Sequence, residues 1–435
     1  MWLHLINIYG ISIIEGVPNM KSFKFVLSIV LALCMCFNMS FIVFADEPEV
    51  IEKSNVVTEY NSEDLKTPIM FDATETVAQV GTELDIPAKS CILMEVNTGE
   101  ILYEKESHQQ LAPASITKVM ALLLVVEAME SGLFGVDTVL TASEHACSMG
   151  GSQIWLEPNE QMSVHDLLKA AVVGSANDAT VVLGEAVAGS EEGFVAMMNE
   201  RAKQLGLNDT NFVNSTGLDA DGHMTSAHDI AVMSKELIKH DIIKEYSTIW
   251  MDSLRNGESE LVNTNKLVRF YEGCTGLKTG TTSKAGACLS ATAEKNGMEL
   301  VAVVMGAANS NDRFNGARKL LDYGFANWSY ISVTADVSQF RKIAVKGGVV
   351  KSVFPVCNEE KDFLVLKSKA KFVHQVTELA DNIVAPIEQG TQIGVTRIFV
   401  DDEEIGTIKI VSPVAIKELT FVEAFKMLLK YCFKV

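Results

Sequence analysis

Three short stretches hold residue types that could carry out nucleophilic chemistry. The first is Ser115-Ile116-Thr117-Lys118. On a helix, a spacing of three puts both end side chains on one face, within reach of each other. A serine hydroxyl is a weak nucleophile until a base takes its proton. A lysine amine can be that base when burial or a neighbouring cation disfavours its charge. The second stretch, Ser175-Ala176-Asn177, reads as a loop between helices that could turn a hydroxyl and an amide toward a cleft. Ser and Asn also cap helices well, and taken alone this stretch reads as a cap. The third is Lys278-Thr279-Gly280-Thr281-Thr282 on a strand edge. Gly280 would let a ligand backbone approach closely, while Lys278 and the threonine hydroxyls could bind a carboxylate.

None of the three is specific alone. Ser368-Lys369-Ala370-Lys371 repeats the S-x-x-K pattern and reads as a solvated strand end. Context separates the two: Pro113-Ala114 precede Ser115, and an apolar run follows Lys118. The order S-x-x-K, S-x-N, K-T-G along one chain is far more specific than any member of it.

The elements that must position these residues follow from the hydropathy pattern. Ser90–Glu95 predicts a strand, residues 97–100 a turn, and Ile101–Glu104 its partner strand. Ala114–Glu130 is apolar nearly all round, which predicts a buried helix with Ser115 at its start. Val164–Val173 and Ala179–Val187 predict helices on either side of the Ser175 loop, and Glu192–Leu205 a further one stopped by Gly206. Leu277–Thr282, Gly286–Ala293 and Glu299–Met305 predict a strand meander, and Arg313–Trp328 a closing helix. Beyond it, short alternating runs predict a small all-β domain over about residues 333–416.

Composition bounds the rest. The 435 residues carry 36 Lys+Arg against 56 Asp+Glu, a formal charge of −20, and 48 % are hydrophobic. That length suits two or three domains with a large core. Strong acidity excludes nucleic acid as the main partner, because phosphate binding needs a basic face. There is no CxxC pair and no HExxH, so zinc and thioredoxin-like readings start weak.

Residues 1–45 read as a leader with an export signal. Lys21 and Lys24 precede an apolar run from Phe25 to Phe44, and Ala45-Asp46 offers a cleavage point. An uncleaved membrane helix is the alternative. Met20-Lys21 looks like the true start of translation, with Glu15-Gly16-Val17 encodable by a purine-rich stretch just upstream. Residues 46–85 hold 11 acidic and 2 basic residues and read as a solvated linker. Six cysteines lie beyond the leader, at wide spacings that suggest mostly buried free thiols. Cys274 and Cys288 flank one expected hairpin and are the only pair worth testing for a disulfide. At the far end, 419–435 reads as an amphipathic helix. Phe421, Val422, Phe425, Leu428, Leu429, Cys432 and Phe433 form one face, and Glu423, Lys426, Lys430 and Lys434 the other. Too short to span a bilayer, it could lie in the lipid interface on the outer face of the cytoplasmic membrane.

The motif triplet is shared by penicillin-binding proteins and class A β-lactamases. Over about residues 85–330 the chain resembles the low-molecular-mass penicillin-binding proteins, the serine-type D-Ala-D-Ala carboxypeptidases. The likeness includes Ala112-Pro113-Ala114-Ser115, Met149-Gly150-Gly151-Ser152, Asn214-Ser215-Thr216-Gly217-Leu218 and Leu321-Asp322-Tyr323-Gly324-Phe325. It implies an α+β fold: a transpeptidase-like domain at 86–330, with an antiparallel sheet and a helical region, then the all-β domain and the terminal helix. It implies Ser115 as nucleophile, Lys118 as base and Ser175 as proton carrier. Asn177, Lys278, Thr279 and Thr281 would bind a peptidoglycan stem peptide ending in D-Ala-D-Ala. β-Lactams would inhibit by acylating Ser115. Thr281 departs from the His or Tyr that relatives often carry after K-T-G.

Rivals remain at this level. A β-lactamase would need an E-x-x-L-N loop after S-x-N, and none lies between Asn177 and Lys278. A D,D-endopeptidase is barely separable. An inactive wall-binding protein fits poorly with intact Ser115, Lys118, Ser175 and Lys278. An α/β-hydrolase is disfavoured because no G-x-S-x-G elbow occurs.

Overall fold

A computed structural model describes residues 78–433 of the chain. The expected leader and nearly all of the acidic linker lie outside the described residues, as do residues 434 and 435. The elements that matter for the site are β1 (Ser90–Glu95), β2 (Ile101–Lys105), α1 (Lys118–Glu130), α2 (Val164–Val173), α3 (Asn177–Ala188), α4 (Glu191–Gln204), α5 (Ala227–Ile238), β3 (Cys274–Thr282), β4 (Gly286–Lys295), β5 (Met298–Ala307) and α6 (Ser310–Asn327).

The five strands form one antiparallel sheet in the order β2-β1-β5-β4-β3. Its middle strands β4 and β5 are buried at nearly every position rather than at alternate ones because both faces are covered. Successive residues of β1 serve different cores: Ile92 and Met94 pack into the helical side, Cys91 and Leu93 under α6. On the helical side α1, α2, α3 and α5 pack together around Val119, Leu123, Leu168, Val182 and Ile230. Helix α1 lacks a one-sided stripe because Lys118 to Val126 are all buried within this layer. Beneath the opposite face, Phe314, Leu320 and Leu321 of α6 pack on Leu289, Leu300 and Val304.

Several boundaries differ from the sequence reading: α3 begins at Asn177 instead of Ala179, so Asn177 is on the helix and not the loop before it, and β3 begins at Cys274 instead of Leu277. The buried helix opens with a tight 3-10 turn, Ala114–Thr117, before α1. The closing helix spans Ser310–Asn327 instead of Arg313–Trp328. Asn309 caps it, its side-chain oxygen accepting from Asp312 N at 2.9 Å. Trp328 instead opens a strand, Trp328–Thr334, that pairs with Glu360–Leu366. Its sequence WSYISVT is rich in aromatic and β-branched residues, so strand pairing wins over helix extension.

Beyond it, Val373–Leu379, Gln392–Val400 and Glu403–Val411 form a three-stranded antiparallel sheet. Its core holds Phe340, Ile398, Ile408 and Ile410. Ser368 to Lys371 lie in the connection after a strand, partly in the short 3-10 helix Ala370–Phe372. The terminal helix spans Phe421–Phe433, and Phe421 and Phe425 stack along it. Among the described residues no helix is long and apolar enough to cross a membrane.

All six described cysteines are free thiols. Cys91 and Cys288 are buried, Cys432 is exposed, and the others are half-buried. In the β3–β4 hairpin Cys288 sits opposite Gly280 while Cys274 sits opposite Ala293. The two cysteines therefore lie toward opposite ends of the ladder, too far apart for a bond.

Candidate active site

The nucleophile candidate sits at a backbone kink. Ala114 adopts φ +49°, and the 3-10 turn that follows carries Ser115 toward Lys118. Lys118 is the first residue of α1 and is fully buried. Its Nζ lies 3.0 Å from Ser115 Oγ, 2.5 Å from Asn177 Oδ1 and 2.9 Å from the main-chain oxygen of Thr216. The last two groups only accept. An uncharged amine can donate to both and turn its lone pair to the Ser115 hydroxyl.

The S-x-N loop comes from the junction of α2 and α3. Ser175 is wholly buried at φ +61°, a conformation a non-glycine residue takes under constraint. Asn177 starts α3, and its Nδ2 donates to Gly150 O at 2.6 Å. Its backbone N–H donates to Ser152 O at 2.7 Å. Asn177 thereby ties the Met149–Ser152 loop to Lys118.

The K-T-G strand closes the third side. Lys278 Nζ donates to Ser175 Oγ at 2.8 Å and to Thr279 O at 3.0 Å. Gly280 passes so near the kink that an added Cβ would stand 2.7 Å from Ser115 N. Only a residue without Cβ lets β3 approach this closely. Thr279 is buried, with its hydroxyl 2.6 Å from that of Thr264. Thr281 is exposed. Lys118 thus joins Ser115 to Asn177, Lys278 meets Ser175, and the K-T-G strand reaches Ser115 at Gly280, while the Thr279 hydroxyl turns to Thr264 and that of Thr281 to Arg313.

Three further groups escaped the sequence reading. Thr216 supplies an acceptor to Lys118 although its stretch carried no assigned role. Arg313, buried on α6, donates through Nη1 to Gly280 O at 3.1 Å, Thr281 Oγ1 at 3.0 Å and Cys288 O at 3.1 Å. His223 accepts the Val213 N–H at Nδ1, 2.9 Å away, so its proton sits on Nε2 and points to Thr117 Oγ1 at 2.8 Å. That hydroxyl donates on to Ala114 O at 2.9 Å, bracing the kink. Burial pushes His223 down to about 4, against the pull of Asp219 and with a push from Lys284. A lone histidine or a single arginine at a helix start carries no motif signal.

A fold of this kind, with a buried lysine beside a serine at a helix start, defines a serine acyl-transfer enzyme of the penicillin-binding class. A family model described as D-alanyl-D-alanine carboxypeptidase matches residues 74–309. A second, described as the C-terminal domain of penicillin-binding protein 5, matches residues 328–418. The chain is 41 % identical to D-alanyl-D-alanine carboxypeptidase DacF of Bacillus subtilis, over 78 % of this chain and 87 % of that protein. Among solved structures, penicillin-binding protein 5 of Haemophilus influenzae is similar with a TM-score of 0.66 and 31 % identity, over 78 % of this chain and 99 % of that one. Penicillin-binding protein D2 of Listeria monocytogenes, solved in an ampicillin-bound form, matches at TM-score 0.51 and 32 % identity, over 56 % of this chain and 100 % of that one. The chain belongs to the D-alanyl-D-alanine carboxypeptidase family, and it is a serine carboxypeptidase acting through an acyl-enzyme.

Proposed function

We propose that the converging residues divide the labour of D-Ala release as follows. Lys118, uncharged, takes the proton of Ser115 as Oγ attacks the carbonyl of the penultimate D-Ala of a stem peptide. The N–H groups of Ser115 and Thr281 receive the developing oxyanion, and one such donor is worth about 3 kcal/mol in the transition state. The proton taken by Lys118 returns through the Ser175 hydroxyl, held by Lys278, to the leaving amine as the C–N bond breaks, which leaves Lys118 uncharged again. Water then attacks the acyl-enzyme and frees Ser115.

Lys278 and Thr281 bind the terminal carboxylate. Of the two candidate threonines, Thr281 offers the accessible hydroxyl; Thr279 supports the strand through Thr264. Asn177 fixes Lys118 and the Gly150 loop, and the second N–H of its amide can meet the peptide. β-Lactams mimic the terminal dipeptide and acylate the same oxygen.

One observation carries this reading: the buried Lys118 amine 3.0 Å from the Ser115 hydroxyl, between two pure acceptors. The test is Ser115→Ala. It should abolish both D-Ala release from a synthetic pentapeptide and labelling by fluorescent penicillin. Labelling that survives would place the nucleophile elsewhere.

The substrate lies in the cell wall, so the enzyme works outside the cytoplasmic membrane, as the export signal at 1–45 and the linker at 46–85 suit. The terminal helix exposes Phe421, Val422, Phe425 and Leu428 to solvent and carries Lys426 and Lys430. That combination supports peripheral attachment to the outer leaflet.

A further inference from the structure

The loop that meets Asn177 continues into the lining of a cavity. Trp155 sits there at φ +57° with 65 % of its surface exposed. A bulky residue takes that conformation only under constraint, and such strain gathers at functional positions. The constraint is built from two sides. Asp178, the residue after Asn177, accepts the N–H groups of Ile154 and Leu156 on its Oδ2, both at 3.1 Å. Arg255 Nη1 donates to Ile154 O at 2.8 Å, and Nη2 to Trp155 O at 3.4 Å. The start of α3 and the turn after Met251–Leu254 thus hold an indole out toward solvent, where it adds little to the core.

The ring borders a cavity of about 670 Å³ lined also by Glu157, Asn159, Glu160, Arg255 and Glu258. Its polar character selects the ligand. Arg255 spends its donors on Glu160, Ile154 O, Ser259 and Trp155 O, which leaves little for an anion. Glu160 is spent on Arg255 in turn, so the Glu157 and Glu258 carboxylates and the Asn159 amide are left for a ligand, and they suit one rich in hydroxyl and amide N–H donors. A flat exposed indole suits the apolar face of a ring. A sugar has both.

We propose that Trp155 and this cavity bind an N-acetylated hexosamine of the glycan that carries the stem peptide. The reading rests on the carboxypeptidase activity, because the sugar is the end of the substrate away from D-Ala-D-Ala. Two substrates test it: a muramyl-linked pentapeptide, and the same pentapeptide N-acetylated without sugar. They share the side-chain amine and terminal carboxylate, so any difference reports the sugar.

The wild-type KM should be about tenfold lower for the sugar-bearing peptide, the size of one good aromatic contact. Trp155→Ala should bring the ratio of the two KM values close to one, and Trp155→Phe should keep most of it. Labelling by fluorescent penicillin reports that the Ala variant is folded. Equal KM values in the wild type would overturn the proposal. So would a Trp155→Ala loss that falls alike on both substrates, which would make the residue structural. Release from neither substrate by the wild type would instead overturn the activity itself.

Discussion

Gly217 is where a single methyl group should disable the enzyme by displacing the backbone that carries the nucleophile. It sits at φ +92°, and a Cβ built there stands 1.9 Å from Ala114 O and 2.9 Å from Ser115 N. Ordinary contact begins near 3.4 Å, so one side must retreat by about 1.5 Å. If the Ala114–Ser115 peptide moves, the nucleophile leaves its place. If the 214–218 loop moves, Thr216 O leaves the Lys118 amine, which it meets at 2.9 Å. Either retreat damages the dyad. A misplacement of about 1 Å typically costs about a hundredfold in rate, so Gly217→Ala should lose at least that in acylation. The strained φ adds about 1–2 kcal/mol of lost stability. The assay is the second-order rate of labelling by fluorescent penicillin, read beside thermal unfolding. Gly189→Ala is the control: it has φ +81° and nothing within 4 Å, so it should lose stability alone. A Gly217→Ala enzyme acylating within about threefold of wild type would refute the idea that the kink and the 214–218 loop together set the nucleophile.

Two further outcomes follow from particular groups. His223 is neutral both folded and unfolded above pH 6.5. Below that the unfolded chain takes up a proton, while the folded one resists until about 4. Stability should therefore fall between pH 6.5 and 4, by on the order of 3 kcal/mol from this group. His223→Gln cannot titrate, so its melting temperature should depend less on pH in that window; equal slopes would rule His223 out as the cause. On the terminal helix, Lys426→Glu with Lys430→Glu should greatly reduce co-sedimentation with anionic lipid vesicles, and retention equal to wild type would argue against the interfacial reading.

Much of the fold is legible in the sequence because its signals are local. The runs at Gly286–Ala293 and Glu299–Met305 read as neighbouring strands of a meander, and β4 and β5 pair there as expected. Val164–Val173 reads off its stripe and starts at Ser163, whose side chain accepts from Asp166 N at 3.1 Å. The ends are less legible. Trp328 continues an apolar helical face yet begins a strand, because its partner at 360–366 is supplied from far along the chain. Cys274 and Cys288 look like a pair because both flank a hairpin, but the register that separates them is set by all the hydrogen bonds of the ladder.

The site divides in the same way. Spacing alone sets Ser115 and Lys118 on one helical turn, since both angles and rise within a turn are local properties of the backbone. The order of S-x-x-K, S-x-N and K-T-G likewise names the chemistry from residue types and their sequence alone. Only the tertiary fold brings Asn177 and Thr216 to the lysine, across 59 and 98 residues, and buries the amine. Only the fold sets Arg313 behind Thr281 and His223 behind the Ala114 kink. No local pattern encodes those contacts, because each depends on where the packing of two cores on opposite faces of one sheet places elements that are remote in the chain.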